Sequence, residues 1–278
     1  MTENLNMPRR YDRLTAFLQA FPLRVDHCDS AAAANLLIID SNGTGEPSHL
    51  LYRARQSGGL PVAATLCAAA RVDFGGSANP LVGALPDELC FSIEEMPQLR
   101  SLAELIVAES NVARCGGGTV QTRLCEVVVV LAIRRAIARG TVDAGLLAGL
   151  AHPKLHMSLV AMHDDPARKW QIADLSAIAG ISRAQFIEVF RKTVGEPPGR
   201  SLTNWRVALG TAHLRSGRSV KSAAALVGFG SAEAFSRAFR RQFGYSPGKG
   251  KLRGDRGEVS HRTPAISNPS DGQAQRPP

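Results

Sequence analysis

Ser182, Phe186, Phe190, Gly195 and Pro198 recur 49 residues later as Ser231, Phe235, Phe239, Gly244 and Pro247, and the basic pair Arg191-Lys192 recurs as Arg240-Arg241. A phenylalanine pair at i and i+4 buries one face of a helix. Steps of about 100° per residue then turn Ala184, Gln185, Glu188, Arg191 and Lys192 outward in the first copy, and Glu233, Ala234, Arg237, Arg240 and Arg241 outward in the second. Arg183, Ser231, Ala232 and Ser236 complete the candidate contact set. The chemistry available is that of nucleic-acid reading: hydrogen bonds to base edges from the N-terminal half of each helix, and charge-assisted bonds to phosphates from its basic end. Glu188 and Glu233 can accept from cytosine N4, and Arg237 can grip guanine or a phosphate. A helical core alone would account for the phenylalanines. It would not account for a basic pair at the same register in both copies.

Other reactive residue types do not converge. A cupin-type metal enzyme needs several histidines and a carboxylate on neighbouring strands, yet only His27 and His49 fall in the β-rich region. His152 and His156 are spaced for one helix face, but Pro153 lies between them, and two solvated histidines are expected. Gly116-Gly117-Gly118 lacks the Lys-Ser/Thr of a phosphate loop. No catalytic residue, metal site or cofactor is therefore expected. Five scattered cysteines without a CxxC pair suit a reducing cytoplasm. Cys28, in the polar run Asp26-His27-Cys28-Asp29-Ser30, is expected to be exposed, and Cys28 and Cys67 are the candidates for redox sensing. His27 would favour a thiolate there, and the two aspartates would oppose it.

The elements that must carry the repeated residues have the layout of a helix-turn-helix. Residues 172–179 form a first helix, Gly180 makes the turn, and Ser182 caps the second helix, which Gly195 ends and Pro198 cannot continue. Residues 220–227, Gly228, Ser231, Gly244 and Pro247 repeat the plan with a turn one residue longer. Charge follows the same division. Residues 1–164 hold 14 Lys/Arg against 16 Asp/Glu, and residues 165–253 hold 16 against 5. The excess positive charge is thus confined to the segment that carries the repeat, as a nucleic-acid module requires.

Upstream, residues 36–39, 48–53 and 62–74 read as strands separated by glycine-rich turns, while 31–34 could be helical. After Pro97, Leu99, Leu102, Leu105 and Ile106 mark one helix. Val120, Leu124, Val127, Val128 and Leu131 mark a second beyond the glycine triplet, so an antiparallel pair is expected. Its apolar faces would seal the β-rich domain or pair with a second subunit. A short helix is expected over 153–163, and residues 254–278 have the composition of a disordered tail. The N-terminus lacks the apolar stretch of a secretion signal, and the longest apolar run is too short to span a bilayer, so a cytoplasmic protein is expected.

Residues 170–251 resemble the paired helix-turn-helix domain of the AraC/XylS transcriptional regulators. Gly228-Phe229, Phe235-Ser236-Arg237-Ala238-Phe239 and Gly244-Tyr245-Ser246-Pro247 carry the likeness in the second unit. Trp170, Leu175, Ser182-Arg183, Phe186, Phe190 and Gly195 carry it in the first, and residues 202–214, with Trp205-Arg206 and Ala212, match the linking helix. Residues 11–163 are similar, more loosely, to the cupin-like sensor domain of one subgroup, through 11–17, 65–74, 81–89 and His163-Asp164-Asp165-Pro166. Gly248-Lys249-Gly250-Lys251, Ala184 and Ser201 depart from the usual pattern and bear on base preference.

The resemblance implies an α+β chain: a shortened cupin-like sensor and dimerisation domain with a helical pair over 11–150, then an all-α double helix-turn-helix domain over 151–253. It implies promoter DNA as partner, a small-molecule or redox signal at the sensor, contact with RNA polymerase, and a homodimer. A passive or architectural DNA binder without effector input is the alternative.

Overall fold

The computed structural model describes residues 12–248 except 29, 57, 113 and 141–143. The tail expected at 254–278, like Lys249 and Lys251, lies outside the described residues.

Five strands, β1 (Arg24–His27), β2 (Leu36–Asp40), β3 (His49–Tyr52), β4 (Thr65–Asp73) and β5 (Leu89–Ser92), form one sheet in the order β1-β4-β2-β3-β5, each neighbour antiparallel. The central strand β2 is buried at every residue, which is why 36–39 is an unbroken apolar run. Leu36 and Ile38 join the main core, while Leu37 and Ile39 pack with Ala34, Leu51 and Ala69 in a smaller cluster. Strand β4 begins at Thr65 rather than at 62: Val62 is fully exposed and Ala63 holds a φ of 66°. The stretch 31–34 is a turn leading into β2, not a helix. Strands β1 and β5 were not foreseen. Both are four-residue edge strands, and β1, Arg-Val-Asp-His, shows almost no burial pattern.

Two short helices, α1 (Thr15–Ala20) and α2 (Pro80–Ala84), precede the expected antiparallel pair, α3 (Pro97–Asn111) and α4 (Gly117–Arg139). The buried side of α4 is not the expected one. Gln121, Cys125, Val128, Val129, Ala132, Ile133, Ala136 and Ile137 face the core. Of the expected stripe only Val128 is buried; Val120 and Val127 are 46% exposed, and Leu124 and Leu131 are half-buried. The helix is apolar on two sides, so periodicity alone could not choose between them.

The remaining helices are α5 (Leu146–Ala151), α6 (Leu155–Asp164), α7 (Ile172–Ala179), α8 (Arg183–Val194), α9 (Pro198–Arg215), α10 (Val220–Leu226) and α11 (Ala232–Phe243). His152 and His156 are half-buried rather than solvated. His152 Nδ1 accepts from the amides of Lys154 and Leu155 at 3.2 Å, capping α6, and His156 Nδ1 lies 3.0 Å from the His152 carbonyl.

One apolar core runs from Leu14 through the sheet and α3–α6 into α7, α8 and the first half of α9. The ring of His163 links these parts, lying 5.0 Å from Phe17 of α1 and 4.8 Å from Trp205 of α9. Gly149 of α5 permits close packing, since a Cβ there would meet Leu159 at 2.7 Å and Val194 of α8 at 2.8 Å. At the far end of α9, Arg215 Nη1 donates to the Gly75 carbonyl at 3.1 Å. A separate cluster, Val207, Ala224, Val227, Phe235 and Phe239, holds α10 and α11 on α9.

Candidate nucleic-acid interface

The first unit is α7, a turn at Gly180 and α8. Gly180 takes φ 66°, a conformation that costs glycine least, and Ser182 Oγ accepts from the Gln185 amide at 3.3 Å to start α8. Phe186 and Phe190 are fully buried with ring centroids 5.5 Å apart. That burial leaves Arg183, Ala184, Gln185, Glu188, Arg191 and Lys192 exposed. The ion pairs on either side of this helix use other residues, Arg168–Asp174 and Arg200–Glu196, each at 3.6 Å.

The second unit is α10, a turn at Gly228 (φ 84°) and α11. Ser231 Oγ accepts from the Ala234 amide at 3.1 Å. Phe235 and Phe239 are fully buried, and Phe239 also meets Phe243 and Tyr245 at 4.7 and 5.4 Å. Glu233, Arg237, Arg240 and Arg241 are exposed, whereas Ala232, Ala234 and Ser236 are half-buried.

The two faces differ in how free their side chains are. The Glu233 carboxyl is held below the usual carboxylate range by its own backbone amide, then by Ser231 and by the Arg237 charge. It is thereby drawn toward the start of its helix. Arg240 Nη2 donates to Ser246 Oγ at 2.5 Å.

Sequence reasoning missed what joins the units. Gly210 of α9 lets the Phe235 ring lie against the helix backbone, where any Cβ would collide with it. Trp205 Nε1 donates to the His163 carbonyl at 3.1 Å, and Arg206 donates to the carbonyls of Pro166 (Nε, 2.7 Å) and Arg168 (Nη2, 2.9 Å). Trp205-Arg206 entered only through resemblance, because partners some 40 positions away leave no local pattern.

Cys28 has a different setting from the one expected. Cys28 is half-buried against the smaller sheet cluster. Burial pushes the Cys67 thiol up, and the Asp40 charge pushes it further, the opposite of the shift a reactive thiolate needs. No group of three or more potential metal ligands occurs among the described residues.

A helix-turn-helix domain model matches residues 175–251, and a cupin model matches residues 22–138. A putative AraC-like transcription regulator of Streptomyces lividans is 44% identical over 106 residues, 38% of this chain and 35% of that protein. The chain thus carries a cupin domain ahead of an AraC-type helix-turn-helix domain. The E. coli RCS-specific HTH-type transcriptional activator RclR is 30% identical over 178 residues, covering 62% of this chain and 63% of RclR. The DNA-binding domain of AdpA, solved in complex with a target DNA, aligns at 32% identity over 34% of this chain and 87% of that one, with a TM-score of 0.32. The chain spans between about a third and two thirds of the length of these curated relatives. No described helix is long and apolar enough to cross a membrane.

Proposed function

We propose that this chain is a cytoplasmic transcriptional regulator that binds promoter DNA by laying α8 and α11 in successive major grooves. The observation that carries the reading is the pairing of two exposed, basic recognition helices on one helix of 18 residues. That helix spans roughly 27 Å, which suits two grooves about 34–36 Å apart on one side of a duplex. Arg183, Ala184, Gln185, Glu188, Ser231, Ala232, Glu233, Ser236 and Arg237 read or approach bases. Arg191, Lys192, Arg240 and Arg241 bind phosphates. Because the two helices present different side chains, one copy reads an asymmetric site, which disfavours the passive binder. We take residues 11–150 as the sensor and dimerisation domain and 151–253 as the DNA-binding domain.

The signal, a small molecule or a redox change, is received by the sheet domain, and the DNA-bound form contacts RNA polymerase. A second copy covers the outward stripe of α4. Val120, Leu124, Val127 and Leu131 alternate at four and three residues, the seam of a helix pair. A mobility-shift series with the full chain tests the DNA reading. The log of affinity should fall against the log of salt with a slope of magnitude roughly 5 or more, and a flat response would refute it.

A further inference from the structure

Three consecutive residues of α9 point to three different bodies, as steps of about 100° allow. Trp205 meets His163 and Phe17 at the sensor junction. Val207 enters the core of the second unit. Arg206, between them, reaches the strap of residues 165–170 that leads from α6 into α7, through its two bonds to the Pro166 and Arg168 carbonyls.

The strap is stiffened from within. Trp170 Nε1 donates to the Asp165 carbonyl at 2.8 Å, and the Arg168 guanidinium stacks over the Trp170 ring at 4.1 Å. The turn of the second unit rests on the same strap. A Cβ on Gly228 would lie 2.6 Å from Ala167 Cα and 2.9 Å from its carbonyl oxygen, so only glycine permits this approach of backbone to backbone.

A single helix fixes how far apart two attached units lie, but a unit held at one patch can still pivot on it. The strap supplies the second point of contact. On the reading that α8 and α11 enter successive grooves, we infer that Arg206, Gly228 and the 165–170 strap form a clamp that fixes the angle between the two recognition helices. The clamp thereby selects operators by the spacing between the two grooves and not only by base identity. These are positioning residues: none of them needs to touch DNA.

The experiment uses the full chain and a duplex recovered with it from a randomised pool. The probes are that duplex and versions with one base pair inserted or deleted between the two contacted grooves. One base pair displaces the second groove by about 3.4 Å and turns it by roughly 34°. The wild type should lose at least tenfold in affinity on either change. Arg206→Ala and Gly228→Ala should bind the original duplex more weakly and lose less than threefold on the same changes, with Arg206→Lys in between. Melting by circular dichroism shows that each variant is folded. An unchanged spacing profile in folded variants overturns the clamp alone. So does a wild type that tolerates the extra base pair, a result that needs no variant. A full chain that enriches no duplex overturns the DNA reading, and the clamp with it.

Discussion

Phe190 and Phe239 occupy equivalent positions in the repeat, and both are 0% exposed, yet their loss should have different consequences. Truncation of either to alanine costs roughly 3–5 kcal/mol, about two to nearly four powers of ten in a local equilibrium. Phe190 belongs to the large core that continues through α5 and α6 into the sheet, so Phe190→Ala should lower the stability of sheet and first unit together. Phe239 belongs to a cluster of five buried residues drawn from α9, α10, α11 and Val227 at the end of α10. A cluster that small has little stability beyond the loss, so Phe239→Ala should open the second unit alone, as a sub-global unfolding event. Hydrogen exchange followed by mass spectrometry reads this directly. In Phe239→Ala, amides over 220–243 should lose protection while those over 36–72 and 183–194 keep it. In Phe190→Ala the last two segments should weaken together. Equal loss across the chain in Phe239→Ala would refute the division into two cores, as would a Phe190→Ala effect limited to α7 and α8.

Arg237→Ala should leave the melting curve nearly unchanged, since the side chain is exposed, and lower operator affinity in a mobility shift; a fall in melting temperature like that of Phe239→Ala would count against it as a contact residue. The pH dependence of folding should report His163, whose burial lowers its pKa from 6.5 to about 3. Between those values the unfolded chain binds the extra proton, so stability rises with pH up to about 6.5 and is lost on acidification. From pH 7 to pH 5 this one group should cost about 2 kcal/mol. The corresponding fall in melting temperature should be smaller in His163→Phe, and an identical pH profile in that variant would contradict the buried neutral ring.

The sequence by itself determined the features that are local. Caps at Ser182 and Ser231, turns at Gly180 and Gly228, and phenylalanine pairs at i and i+4 act within one or two helical turns, so their spacing alone places α8 and α11 and their outward faces. The confinement of the excess positive charge to 165–253 needed no structure either. Tertiary structure decided whatever depends on what packs against what. It turned α4 so that Val120 and Val127 face outward, because a helix apolar on two sides carries no record of which side meets the sheet. It built β1 and β5 from short edge segments whose pairing comes from β4 and β3 rather than from their own alternation. It set Arg206 against the Pro166 and Arg168 carbonyls and Gly228 against Ala167, contacts between residues some 40 to 60 positions apart. And it gave two equivalent phenylalanines different cores: α8 packs on α5, and α11 on α9 and α10. A repeat specifies two like units, but burial is a property of the surroundings, and only the folded chain supplies those.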